Sequence, residues 1–387
     1  MDEKAGSMKG FKGFDKDLKC RGFQYELGKT FAHEGTVDLC SPGFHFCENP
    51  LDVLSYYGVA NGNRFAEVEV DGVTDQKEND SKRVCSSLAI GAEISLKNLV
   101  DHSIKFIFNK TTNPTSGDYA HSATSGDYAH SATSGNNAHS ATSGDCAPSA
   151  TSGDCARSAT SGNNAHSATS GDYAHSATSG VYAHSATSGN YAHSATSGNY
   201  AHSATSGDYA HSATSGNNAH SATSGVYAHS ATSGIYARSA TSGNYAHSAT
   251  SGDYAHSATS GNNAHSATSG DYAHSATSGN NAHSATSGIY ARSATSGNYA
   301  HSATSGDYAH SATSGDYARS SAMGGNSIAA AIGRNGAAKA SVGNWIVLAE
   351  YKDNGEIVSV KMAKVDGEKI KADTFYQLKN GEFTEAE

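Results

Sequence analysis

Thr115–Ala123 reads T-S-G-D-Y-A-H-S-A, and this nine-residue unit recurs without insertion or deletion through Ser321, twenty-three copies in all. Because the copies are in strict register, the array serves as its own alignment. Places one to three are always Thr, Ser and Gly, place six always Ala and place eight always Ser; place nine is Ala except for Ser321 in the last copy. Variation is confined to places four, five and seven. Place four holds Asp ten times, Asn nine times, Val twice and Ile twice; place five holds Tyr sixteen times, Asn five times and Cys twice; place seven holds His eighteen times, Arg four times and Pro once. A position that accepts Asp, Asn, Val and Ile is no packed core site, so these three places are expected to face solvent. The fixed small residues are expected to point inward or to make the corners. Gly reaches positive φ without steric cost, and Asp or Asn after it continues a turn.

Gly every nine residues, among Ser, Thr and Asn, excludes a helix. A short fixed period carrying its own turn residues is the mark of a solenoid. Each unit then supplies one short strand and one corner, and successive coils stack at about 4.8 Å. Two copies per coil are expected, since three would enclose more space than Ala, Ser and Thr can fill at native density. Inward hydroxyls need partners, from stacked equivalents or from the backbone.

Outside the array the composition is ordinary, and the chain divides into residues 1–113, 114–323 and 324–387. The first part reads as an α+β domain. Strand-like alternation runs through Phe23–Phe31 and Arg64–Val70, Asn49-Pro50 opens a helical segment to Tyr57, and Ala92–Val100 reads as a strand or short helix. In the last part, Trp345–Tyr351, Glu356–Val365 and Phe375–Leu378 read as strands, separated by turns at Asp353-Asn354-Gly355 and Asn380-Gly381. This part is expected to form a β cap that stops edge-to-edge growth. Residues 324–343 keep small-residue alternation but add Ile328, Ile332 and Val342, as a transitional coil would. The fold class expected is mainly β: a β-solenoid between an N-terminal α+β domain and a C-terminal β cap.

The net charge is −10, and the array contributes −6 of it from ten Asp and four Arg. That is too dilute to imitate duplex DNA, with its one charge per about 1.7 Å of axis, and direct nucleic-acid binding is not expected. No apolar run suits a membrane span and no signal peptide is visible; Met1–Ser7 reads as a leader before Met8. Six cysteines without framework spacing indicate a reducing, cytoplasmic setting.

Three segments carry a resemblance. They are Lys12–Cys20 with Gly43–Val53 and Arg64–Val68, then the array, then Gly343–Glu350 with Val365–Glu368 and Asp373–Tyr376. In this order they resemble uncharacterised bacterial, phage and prophage proteins bearing SATSG-type arrays. The resemblance implies a mobile-element setting and brings no activity with it. Residues 324–343 are also similar to the repeats of trimeric autotransporter heads, which implies a β-roll and leaves a homo-oligomer, a trimer among them, open.

The candidate binding ranks are the outward Tyr173, Tyr191 and Tyr209 with His175, His193 and His211, since tyrosine is enriched at protein interfaces. Cys20, Cys40, His45 and Cys47 could ligate zinc, although C-x4-H-x-C is not a standard finger spacing; packed free cysteines are the plainer reading. A His45–Cys47 nucleophilic pair lacks an identifiable orienting acid. A calcium-binding nonapeptide is excluded, because it needs G-G-x-G-x-D. The function expected is that of a non-enzymatic interaction protein that presents a rigid surface to a host or phage protein. An inhibitor of a host defence or nucleic-acid enzyme, and a fibre or adhesin component, are the rivals.

Overall fold

The computed structural model describes residues 8–38, 42–58, 62–74, 81–110 and 115–386. The chain packs as two compact units that meet in sequence at Ser206 and Gly207.

In the first unit, the N-terminal part builds a small sheet from β1 (Met8–Phe14), β4 (Thr30–Ala32), β5 (Phe44–Cys47), β6 (Arg64–Val73) and β7 (Lys82–Glu93); β2 (Lys19–Cys20) and β3 (Phe23–Gln24) form a separate hairpin. The pairings β5–β1, β1–β6, β6–β7 and β7–β5 close the sheet on itself, with β4 added outside on β7. Closure removes the open edges that a four-stranded sheet would otherwise expose. The interior is filled by Phe14, Phe44, Phe46, Val68, Val70, Leu88 and Ile90. Asn49 caps a 3-10 helix, Pro50–Ser55, by accepting the Leu51 N–H. One α-helix, α1 (Leu96–Lys110), follows β7. The expected Phe23–Phe31 strand is two short strands interrupted at Gly28, whose φ is +78°. Ala92–Val100 spans the end of β7 and the start of α1.

The repeats behave alike in both units. Places seven, eight, nine, one and two form a five-residue strand, for instance His139–Ser143, and places three to six form the corner. Each strand pairs in parallel with the strand eighteen residues away, Ala141 with Ala159 and Ser230 with Ser248, so two copies make one coil as expected. Successive strands alternate between two facing sheets. The corner is a four-residue turn closed by the place-six N–H on the place-three carbonyl, as in Ala156 on Gly153 at 3.1 Å. Glycine is required there for two reasons. Its φ lies near +150°, as at Gly171 and Gly252. A Cβ on Gly252 would also stand 1.6 Å from the carbonyl oxygen of Gly234, one coil back.

The inward residues are Thr at place one, Ala at place six and Ser at place eight. The serines solve the polar problem of the core. Each hydroxyl donates to the serine nine residues earlier, from Ser140 on Ser131 (2.6 Å) to Ser194 on Ser185 (2.8 Å) in the first unit, and from Ser221 on Ser212 to Ser320 on Ser311 (both 2.8 Å) in the second. The partner is therefore on the facing sheet, so a zigzag of hydroxyls runs between the sheets. The threonines differ from the expectation: among the described residues, the buried hydroxyls of Thr133, Thr151, Thr169 and Thr259 have no hydrogen-bond partner. Their methyl groups supply the packing. A second correction concerns the fixed residues at places two and nine. Ser and Ala there alternate with inward neighbours and so point out of the coil, Ala177 and Ala195 being exposed.

The second unit ends in the cap. Strands Ile328–Ala331 and Ala337–Ala340 continue the two sheets with Ala in place of Ser and Thr. Ile346, Leu348, Val365, Tyr376 and Leu378 then fill a true apolar core. Trp345–Tyr351 falls at its expected bounds, followed by Ile357–Lys364 and a hairpin of Tyr376–Lys379 and Glu382–Glu385. Near the cap the corner changes. Tyr290, Tyr299, Tyr308 and Tyr317 have φ of 56–58°. There the tyrosine N–H turns to the following coil, as Tyr290 does to Asp307 at 2.9 Å, whereas Tyr272 donates back to Asp253. This is the peptide flip that separates type I from type II turns. Asn326 and Asn335 hold the same positive φ in the two turns beyond the array, where Asn suits it.

Candidate functional site

Because places seven, nine and two all point outward, each flat face of the solenoid carries three parallel rows: His, Ala and Ser. Tyrosine stands at the corner beside them. Rows built on a coil repeat stack ring on ring. Tyr173 lies 4.9 Å from Tyr191 with their planes 2° apart, and His175 lies 4.9 Å from His193 at 7°. In the second unit Tyr209 stacks on Tyr227 and His211 on His229, at 4.9 and 4.8 Å. All six candidate residues thus stand in regular outward rows within their own units, and His175 and His193 belong to one sheet of the first.

In the first unit the two faces have different fates. On one, the alanines Ala132, Ala150, Ala168 and Ala186 are wholly buried beneath Leu51, Leu54, Leu99, Val100, Ile104 and Ile107. Helix α1 crosses the strands Ser131–Ser134, Pro148–Ser152, His166–Ser170, His184–Ser188 and His202–Ser206. Fifteen residues of helix span about 22 Å, and five strands span about 19 Å, so the lengths match. The helical pitch of about 5.4 Å also lies close to the coil spacing, which sets an apolar side chain over the alanine row at each turn. A larger place-nine residue would lift the helix off. The 3-10 helix takes the neighbouring histidine row: Asp52 Oδ1 is 3.5 Å from His166 Nδ1, and Ser55 Oγ is 3.4 Å from His184 Nε2. Burial pushes the His184 pKa well below the usual imidazole range, and the rings of His166 and His202 add to this. The opposite face carries H-S-A-T-S strands, with R-S-A-T-S at Arg157–Ser161; among the described residues no element covers its alanines, and Ala141, Ala159, Ala177 and Ala195 are exposed. His175 on that face is shifted down as well, by partial burial first and by His193 and Arg157 second.

The zinc reading fares differently. Cys40 lies outside the described residues. Cys20 is on β2, and His45 and Cys47 are on β5. Among the described residues no three His, Cys, Asp or Glu side chains gather as a metal site. What stands near the thiols is an amine. Lys12 is only 4% exposed; its Nζ donates to the His45 carbonyl at 2.6 Å and lies 5.1 Å over the Tyr25 ring. Burial lowers the Lys12 pKa, opposed by the thiols of Cys20, Cys47 and Cys85. Burial also pushes the Cys85 thiol up to about 12, and Cys85 donates to the Phe44 carbonyl. The sequence reading missed Lys12, because lysine in K-G-F-K-G-F looks like a solvated charge. Its signal was alternation: in that strand Lys12 falls in phase with Gly10 and Phe14.

Residues 8–102 match the family model of a domain of unknown function, DUF7666. No curated protein and no solved structure matches the chain. Among the described residues, no helix is long and apolar enough to cross a membrane.

Proposed function

We propose that the chain is a non-enzymatic interaction protein of phage or prophage origin, working inside the bacterial host cell, and that its solenoid offers a flat repeating face to a protein partner. One observation carries this reading. In the first unit one His–Ala–Ser face already receives a protein surface, the 3-10 helix and α1, while among the described residues the alanines of the similar face opposite are exposed. The recognition chemistry is small and regular: an alanine track for apolar knobs, flanked by imidazole and hydroxyl rows that can both donate and accept. The stacked tyrosines add rigid aromatic area at low entropic cost.

The test is capture from host lysate with the full chain and with a variant carrying Ala177→Glu and Ala195→Glu. Both positions are exposed, so the variant is expected to melt like the parent. A partner retained by the parent and lost by the variant is the expected result. A nuclease, topoisomerase or defence protein would make the chain an inhibitor, and virion proteins would make it a fibre part. Equal capture by both proteins, or none by either, overturns the proposal.

A further inference from the structure

The cap carries a surface that the repeats do not. Strand Ile357–Lys364 pairs antiparallel with Trp345–Tyr351, Trp345 opposite Lys364 and Val347 opposite Met362. Among the described residues its other edge pairs with no strand. Three of its four outward side chains are apolar: Val358 is 51%, Val360 57% and Met362 68% exposed, and the fourth is Lys364 at the end. Trp345 and Ile328 extend the same face, paired to each other in register and each about two-fifths exposed. An unpaired edge with an apolar face is what soluble proteins normally avoid, by lysines, bulges or a covering element. Here the lysines do not blunt it. Lys361 is turned to the other side, where Nζ donates to the Gly381 carbonyl at 2.5 Å, and Lys364 lies at the strand end.

We infer that this strand is a self-association site, and that two copies of the chain join through it as an antiparallel pair about a twofold axis at Val360. The register follows from the side chains. Antiparallel neighbours directly opposite each other share a face, so a one-residue offset would set the apolar row against the inner side. Centring on Lys361 would place that lysine against its own copy. Centring on Ser359 leaves Met362 facing the partner's Glu356. With Val360 on the axis, Val358 faces the partner's Met362, Val360 its equivalent, and Met362 the partner's Val358. Lys361 then faces the partner's Ser359, and Glu356 faces the partner's Lys364. That last pair adds opposite charges at both ends of the junction, Glu356 exchanging for it the exposed ion pair it makes with Lys352 at 2.9 Å. A twofold contact of this kind is self-complementary and closes, so it ends growth at two copies.

Sedimentation velocity on the full chain, across a wide concentration range, tests this. The parent should sediment at twice the chain mass. Val360→Lys, which sets like charges against each other on the axis, should run at the chain mass with an unchanged circular-dichroism spectrum, its melting temperature no longer depending on protein concentration. Glu356→Lys and Lys364→Glu should each weaken association by roughly tenfold, and the double variant Glu356→Lys/Lys364→Glu should recover it, since the opposite-charge pairs return with reversed sign. A parent of chain mass at every concentration, a trimer, or a dimer indifferent to Val360→Lys and to both charge reversals would overturn the inference.

Discussion

Residue identity is constrained in this array where two coils touch, and the glycine shows it most sharply. At Gly252 the backbone has φ of +149° and an added Cβ would meet the Gly234 carbonyl oxygen at 1.6 Å. Gly252→Ala is therefore expected to cost about 3 kcal/mol or more, from an unfavourable backbone region together with a forced shift of the coil below. Asp253→Ala, one residue on and exposed, should stay within about 0.5 kcal/mol of the parent. Chemical denaturation of the two variants separates them, and similar losses would mean that the corner is not built as described. The serine zigzag gives a second expectation. Ser248 donates to Ser239 at 2.8 Å and accepts from Ser257 at 2.9 Å. Ser248→Ala removes one hydroxyl and strands its neighbour, which should cost about 1–3 kcal/mol. Ala at the exposed place-two serine Ser251 should cost almost nothing. Which of the fixed residues faced inward was only partly legible in the sequence. Invariance marked Thr, Ser and Ala as constrained, but it does not say whether the constraint comes from the core or from the outer face. Ala at place nine is outward, and in the first unit its size is limited by the helix lying upon it.

Elements follow from period where the period is local, and are lost where the pattern mixes. The repeat strands, the two-copy coil and the Trp345–Tyr351 strand were readable because alternation and turn residues agree. Helix α1 was cut short in the sequence reading, although Leu96, Leu99, Val100, Ile104 and Ile107 fall at helical spacing. The β-branched and aromatic residues in that run resemble a strand, and its apolar side has no visible purpose until the alanine row beneath it is seen. β7 is hidden for a related reason: Ser86 interrupts the alternation of Val84, Leu88 and Ile90, and Cys85 is buried out of phase with it. Of the candidate zinc residues, Cys20 and Cys47 stand near the buried Lys12 amine together with Cys85, an arrangement whose one trace in the sequence is the phase of Lys12 with Gly10 and Phe14. The docking of α1 yields a prediction at this scale. Ala186 is wholly buried under the N-terminal domain, and Ala195, nine residues on, is exposed on the opposite face. Ala186→Glu buries an unpaired carboxylate and should cost about 3–5 kcal/mol, with faster hydrogen exchange in α1. Ala195→Glu should alter neither stability nor exchange. Equal effects at the two sites would mean that the helix does not rest on that row.

Over the whole molecule the eighteen array histidines link stability to pH. The resolved histidine shifts in the array run downward: His139, His175, His184, His220, His247, His256, His274, His283 and His301 are lowered, by burial first and by neighbouring histidine or arginine charges second. Burial rather than stacked charge is thus the leading cause, which the sequence alone did not indicate. A histidine whose folded pKa is depressed binds its proton more readily in the unfolded chain. Its stabilisation is complete above the unfolded value of about 6.5 and is lost as pH falls through that value toward the folded one. The array passes from −6 with neutral histidines to +12 with all of them charged, so protonation also replaces a weak acidic field by a stronger basic one. Both effects have the same sign. The full chain is expected to melt at a lower temperature at pH 5 than at pH 7.5. Added salt should narrow the gap by screening the charge part, while leaving the part due to burial. Calorimetry at the two pH values, each at low and high ionic strength, checks this. A gap abolished by salt would assign the linkage to surface charge alone, and a melting temperature equal or higher at pH 5 would show that the histidine rows are not desolvated by the coils they decorate.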